Sequence, residues 1–204
     1  MRNFLLLSCL LFFNIHLISA QWTNRYPHVD GYGHHVYLEG YELPVLNGGS
    51  MDPAPSPQND RVVFSSKGWL WLLDLQTSEA KRITASGGSD SSPNWSPNGT
   101  EIVFVRDDSS DTEIVLLNLR TGLERILVDT EALDLDPIFS ADGKFVYYAS
   151  AVEGSFDIWR INPISMEKEQ LTKESSLERL PIPIALSKDF IYLKKEGFSY
   201  DSIE

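Results

Sequence analysis

One short pattern recurs four times in this chain and narrows the folds open to it more than any other feature. The copies begin Pro53-Ala54-Pro55-Ser56-Pro57, Pro93-Asn94-Trp95-Ser96-Pro97-Asn98-Gly99, Pro137-Ile138-Phe139-Ser140-Ala141-Asp142-Gly143 and Pro183-Ile184-Ala185-Leu186-Ser187-Lys188-Asp189. Their leading prolines are 40, 44 and 46 residues apart. A fixed period of this length means a stack of equivalent supersecondary units, none of which can bury its own apolar faces. Asn98-Gly99 and Asp142-Gly143 predict tight hairpins with both residues at positive φ.

An apolar run follows each turn: Arg61-Val62-Val63-Phe64, Glu101-Ile102-Val103-Phe104-Val105, Phe145-Val146-Tyr147-Tyr148 and Phe190-Ile191-Tyr192-Leu193. These β-branched and aromatic residues suit strands. A third strand is expected at Trp69-Leu70-Trp71-Leu72-Leu73, Glu113-Ile114-Val115-Leu116-Leu117 and Asp157-Ile158-Trp159-Arg160-Ile161. Apolar residues there are consecutive, the mark of a strand covered on both faces. A shorter and more polar fourth strand is expected at residues 81–84, 124–127 and 169–172, where charge guards an exposed edge. Residues 165–180 hold good helix formers but no apolar stripe, so the repeat places the fourth strand there instead.

Strand, tight turn, strand, turn, strand, turn, edge strand, repeated with both faces covered, describes the blade of a β-propeller. A β-sandwich also has evenly spaced strands but needs no internal identity. The expected fold is therefore all-β: a partial β-propeller of about three and a half four-stranded blades behind a signal peptide. Residues 1–20 form the signal, 21–50 a leader with one strand near residues 35–43, and 51–204 the repeats. The blades are divided at 51–90, 91–134, 135–180 and an incomplete 181–204. Asp201-Ser202-Ile203-Glu204 reads as the opening of a further third strand. Since propellers have four to eight blades, the chain reads as the N-terminal part of a longer one.

Arg2, the apolar residues 4–13 and the small residue Ala20 before Gln21 make the secretory signal. Asn14 and His16 interrupt the run, which is short for the ~30 Å of a bilayer core. The protein is thus expected to be exported, periplasmic or extracellular, without membrane insertion after cleavage. Cys9 is the sole cysteine and leaves with the signal, so neither disulfides nor thiolate chemistry follow. A net charge of -12 disfavours nucleic acid and anionic membrane surfaces as partners.

Pro93 to Phe104, with its Trp-Ser-Pro-Asn-Gly core, resembles the repeat of TolB-type, WD-like β-propellers. Residues 135–144 are similar, as are Asp157-Ile158-Trp159 and the Leu171-Thr172 ending. The resemblance covers about residues 51–204 and departs in copy one, which lacks the Trp and Gly, and in copy four, which lacks the Gly after Asp189. It implies the propeller fold and two settings. One is a non-catalytic propeller that binds envelope proteins. The other is the N-terminal propeller of an exported hydrolase, and residues 26–44 look like the leader of amidohydrolase-like proteins. The expected function is a non-catalytic scaffold or binding segment of an exported protein, read first as the N-terminal part of a larger amidohydrolase-like hydrolase and alternatively as a periplasmic TolB-like protein-binding module of the cell envelope. Its expected partner is a protein or peptide, or a downstream catalytic domain of the same chain.

No residue is assigned as catalytic, cofactor-binding or metal-binding, and no cofactor is expected. Gly-x-Ser-x-Gly, His-Glu-x-x-His and phosphate-binding loops are missing from the sequence. Gly31-Tyr32-Gly33 lacks its third glycine. His28, His34 and His35 could suggest a metal, but adjacent His34 and His35 would point to opposite faces of a strand. Residues 107–113 are rich in oxygen ligands without calcium-loop spacing, and read as a solvated hairpin loop. Asp129, Glu131, Asp134 and Asp136 read the same way. Asn98-Gly99-Thr100 matches a glycosylation acceptor, but the turn suffices to explain it. Trp69, Trp71, Trp95 and Trp159 are expected in packing between blades and not in a sugar site.

Overall fold

The computed structural model describes residues 50–173, 176–185, 187 and 189–195. The signal, the leader with its three histidines, and the expected strand at 201–204 lie outside them. Every described element is a strand: β1 (Met51–Pro55), β2 (Arg61–Ser66), β3 (Trp69–Asp74), β4 (Ala80–Arg82), β5 (Ser89–Trp95), β6 (Glu101–Asp107), β7 (Thr112–Asn118), β8 (Glu124–Val128), β9 (Asp134–Phe139), β10 (Val146–Ser150), β11 (Asp157–Ile161), β12 (Lys168–Gln170), β13 (Leu177–Pro183) and β14 (Phe190–Lys195). They form antiparallel sheets in the orders β1-β2-β3-β4, β5-β6-β7-β8 and β9-β10-β11-β12, then the pair β13-β14. The helix formers of residues 165–180 are overridden, since Lys168–Gln170 pairs with β11 through Trp159↔Gln170.

Each strand alternates its side chains between the two faces of its sheet. In the second blade Val103, Val105, Ile114 and Leu116 face the third, where they meet Phe139, Val146, Tyr148 and Ile161. From the opposite face Ile102, Phe104, Val115 and Leu117 meet Val63 and Leu70 of the first blade. Ile102, Val103 and Phe104 are wholly buried, in consecutive positions. Tyr147, Ala149 and Ile158 of the third blade pack toward Phe190 and Tyr192 of the fourth. A fully buried Phe or Ile is worth about 1.5–3 kcal/mol, so the sheets stabilise one another at these faces. Ile182, Ile184, Ile191 and Leu193 of the fourth blade stand 44–56% exposed.

The repeated serine explains the first hairpin. Ser56, Ser96 and Ser140 are buried. Ser96 Oγ accepts the Glu101 amide at 2.9 Å and donates to Asn98 Oδ1 at 2.8 Å. Ser140 does the same with Phe145 and Asp142 at 3.0 and 2.7 Å, and Ser56 with Arg61 and Asp60 at 3.1 and 2.7 Å. The turn differs from the expected two-residue form. Gly99 and Gly143 lie at φ 71°, but Asn98 and Asp142 do not adopt positive φ. Gly99 closes a four-residue turn by donating to Ser96 O at 2.9 Å. Asn98 is needed for its side-chain acceptor, not for a left-handed backbone. Asn59, at φ 56°, takes the glycine's place in the first blade.

Two further details depart from expectation. The fourth strands of the first and third blades end early, and a hydroxyl takes over the ladder: Thr84 Oγ1 accepts the Leu70 amide at 2.9 Å, and Thr172 Oγ1 the Ile158 amide at 2.8 Å. The fourth leading proline is Pro181, not Pro183. Leu180 before it shares the positive φ of Asp52, Ser92 and Asp136, and Ile184 bonds Asp189 as Ser56 bonds Arg61. With Pro181 in register, the last two spacings are both 44 residues.

Ser96→Ala removes three interactions in a buried turn and should cost about 2 kcal/mol by urea unfolding. Ser187→Ala, at the exposed equivalent turn, should stay within about 0.5 kcal/mol of wild type.

Candidate functional site: the axial groove

The innermost strands β1, β5, β9 and β13 converge on a groove along the axis of the array. Each contains one residue at positive φ immediately before proline: Asp52 (50°), Ser92 (51°), Asp136 (57°) and Leu180 (55°). Proline disfavours the right-handed helical region for its predecessor, and the left-handed conformation costs a non-glycine residue roughly 1–2 kcal/mol. Register shifts between Met51 and Ala54, Ser91 and Asn94, and Arg179 and Ile182 mark these positions as bulges. The bulge bends the inner edge and turns the proline ring to the axis.

Contacts to the next blade hold the strained residues in place. Asp52 Oδ2 accepts the Ser92 amide at 3.1 Å and the Ser65 hydroxyl at 3.1 Å. Asp136 Oδ2 accepts the Leu180 amide at 3.0 Å, and its carboxylate also pairs with Arg179 through Nε and, at 2.9 Å, Nη2. The second blade carries Ser92 where the first and third have Asp, and there Asn94 Oδ1 accepts the Phe139 amide at 3.1 Å. Trp95 Nε1 donates to Ala54 O at 2.9 Å. The groove encloses about 720 Å³ and is lined by Pro53, Pro93, Trp95, Pro137, Ile138 and Ile182 among others.

A second repeated position went unnoticed in the sequence. Asp90, Asp134 and Glu178, each three residues before its leading proline, are wholly buried. Asp90 pairs with Arg106, at 2.8 Å to Nε and 3.2 Å to Nη2. In the third blade Ser150 stands opposite Asp134 where Arg106 stands opposite Asp90. Thr130 Oγ1 donates to Asp134 Oδ2 at 2.8 Å, and Oδ1 has no hydrogen-bond partner. Burial pushes the Asp134 carboxyl up, opposed by the nearby Ser150 and Thr130 hydroxyls. The solvated-loop reading therefore fails for Asp134, which is buried, and for Asp136, which is paired with Arg179. It holds for Asp107 and Asp108, which cap their own loop by accepting the Ser109 and Ser110 amides at 2.8 and 2.9 Å. Trp95 and Trp159 pack between blades as expected. Trp71 Nε1 donates within its own blade to Ser66 O, and Trp69 lies under Arg82. Among the described residues no three His, Cys, Asp or Glu side chains are grouped to hold a metal.

Equivalent four-stranded sheets, packed face to face with their first strands toward a common axis, define a β-propeller. The first hairpin identifies the kind, since Pro and Ser recur in the first three blades and Asn/Asp-Gly follows them in the second and third. The chain belongs to the TolB β-propeller domain family, whose model matches residues 26–201. It is 25% identical over 157 residues to an uncharacterized protein of Agrobacterium fabrum, covering 76% of this chain and 52% of that one. It is 34% identical over 109 residues to the Tol-Pal system protein TolB of Francisella tularensis, covering 49% of this chain and 23% of the relative. The chain thus spans about half, and about a quarter, of these relatives. The crystal structure of TolB from Acinetobacter baumannii shares the fold at a TM-score of 0.64 and 23% identity, over 74% of this chain and 39% of that one. A puromycin hydrolase shares it at 0.58 and 11% identity, over 72% and 25%.

Removing the charge at Asp134 and at Asp90 should have opposite effects. Asp134→Asn relieves a buried, unpaired carboxylate and should raise the unfolding temperature at neutral pH. The folded-state pKa of Asp134 lies above its unfolded value, so the ionised group costs stability at neutral pH. That cost vanishes as pH falls through the raised value toward 3.8, and the gap between variant and wild type should close over that range. Asp90→Asn removes the buried carboxylate paired with Arg106, which keeps Glu124 at 2.7 Å as its remaining ion-pair partner, and should cost about 2 kcal/mol in chemical denaturation.

Proposed function

We propose that this chain is a non-catalytic propeller scaffold of an exported protein, and that its axial groove receives a segment of a protein partner. The groove carries the reading. It is concave and largely apolar, it joins all four blades, and each inner strand is locked by contacts to its neighbour. A pre-formed cavity with a few fixed polar groups is the usual form of a binding site. The 34% identity to a Tol-Pal system protein supports a binding role over a catalytic one. The negative charge and the N-terminal signal fit a soluble life outside the cytoplasm, in the periplasm or beyond it.

The second reading makes the propeller the N-terminal part of a larger hydrolase of amidohydrolase-like character, gating or supporting a catalytic domain. The fold likeness to a puromycin hydrolase, of which this chain covers 25%, favours it. Likeness at 11% identity speaks for the fold alone, so the binding role ranks first.

Three measurements test the proposal. Mass spectrometry of the exported protein should find Gln21 at its N-terminus. The purified chain should hydrolyse neither peptide anilides nor phenyl esters, and turnover that co-elutes with it would end the non-catalytic reading. A photo-cross-linking residue at Ile182, inside the groove, should give a partner adduct in intact cells that is lost when Ile138→Lys places charge in the groove. The same probe at the exposed rim residue Leu75 should give none. Equal adducts from both positions would argue against axial binding.

A further inference from the structure

We infer that the axial groove takes an extended segment of a partner protein bearing Lys or Arg, held by apolar contact and by the partner's own donors. This rests on the axial-binding reading above and adds the chemistry of the occupant. The groove lacks backbone donors at its prolines, and several of its other amides are already engaged. An edge strand ordinarily offers alternating N–H and C=O groups and can take up another strand. Here Pro53, Pro93, Pro137 and Pro181 have no N–H, and neither have Pro55 and Pro183 two residues further on. The Ser92 and Leu180 amides are spent on Asp52 and Asp136. The Phe139 amide is spent on Asn94 Oδ1. The bulges also break the register that a strand would need.

What the axis keeps is acceptors. Each proline retains its carbonyl, and the charged side chains in the lining are Asp52 and Asp136, with no cationic one. Asp136 is already matched by Arg179. Asp52 is exposed and is met by two neutral donors, the Ser65 hydroxyl and the Ser92 amide. A phosphate or acidic segment finds no cation in this lining and, among its side chains, only the neutral Ser92 hydroxyl and Asn94 amide as polar donors beside Trp95 Nε1, which is spent on Ala54 O. A Lys or Arg on an otherwise aliphatic segment finds a carboxylate, spare carbonyls and a wall of Pro and Ile side chains along which its stem can lie.

The test uses the intact exported protein and two fluorescein-labelled peptides, a three-copy Leu-Pro-Lys-Ala sequence and its Leu-Pro-Glu-Ala counterpart, followed by anisotropy at about 0.15 M salt to suppress diffuse attraction. The lysine peptide should bind at least about tenfold more tightly than the glutamate peptide. Asp52→Asn, which keeps an acceptor for Ser92, should weaken the lysine peptide by about tenfold. Asp129→Asn makes the same charge change on an exposed residue outside the groove and should leave it unchanged. Equal loss in both variants would show diffuse attraction and overturn the inference. Equal or tighter binding of the glutamate peptide, abolished by Ile138→Lys, would overturn the chemistry while keeping an axial site. Failure of both peptides to bind would overturn the inference and count against the axial site itself.

Discussion

Mutual coverage is the constraint on which this fold rests. A four-stranded antiparallel sheet with apolar side chains on both faces is unstable alone, because only one face could ever turn from water against a single neighbour. The second blade resolves this by standing between two others. Ile102 and Phe104 face the first blade, and Val103 and Val105 face the third, so that four consecutive residues are almost fully buried. Burial on that scale is available to a sheet only inside a stack. The hairpins, loops and edges are consistent with this arrangement: polar residues remain on the fourth strands, and the turns gather at the ends of the blades.

Packing of apolar faces is permissive about register, and the inner edge supplies the precision. The left-handed residue before each proline cannot be satisfied by its own sheet, so its strain is met from the adjacent blade. Asp52 reaches Ser92 and Asp136 reaches Leu180 by the same hydrogen bond, each spanning one repeat. Where the aspartate is replaced by Ser92, a different side chain, Asn94, bonds the following blade. The geometry is retained while its chemistry changes, as expected when the bulge is required and the particular bond is not.

Much of this was legible in the sequence, because periodic strands, Ser-Pro-Asn-Gly turns and consecutive apolar runs each report local physics. The sheet memberships and the burial of Trp95 follow from them. What stayed hidden involves contact between repeats. Asn98 looked like a left-handed turn residue, and only the Ser96 hydroxyl in its reach shows why an amide is needed. Pro183 looked like the leading proline because two prolines alternate there. The backbone at Leu180 decides for Pro181. Asp134 looked like one acid in a solvated loop, since sequence does not show which acid the stack closes over. Its spacing from Pro137, shared with Asp90 and Glu178, was the signal available for finding it.

The hydrogen bonds at the inner edge reach one repeat and no further. Stability in such an array is a sum of each unit's own folding and its nearest-neighbour terms. A lesion at Asp52 therefore loosens the junction of the first two blades and leaves the junction of the third and fourth untouched. It also follows that no single contact counts the blades. The curvature of the array must emerge from the small rotation that every junction contributes, as an arch takes its span from the taper of its stones.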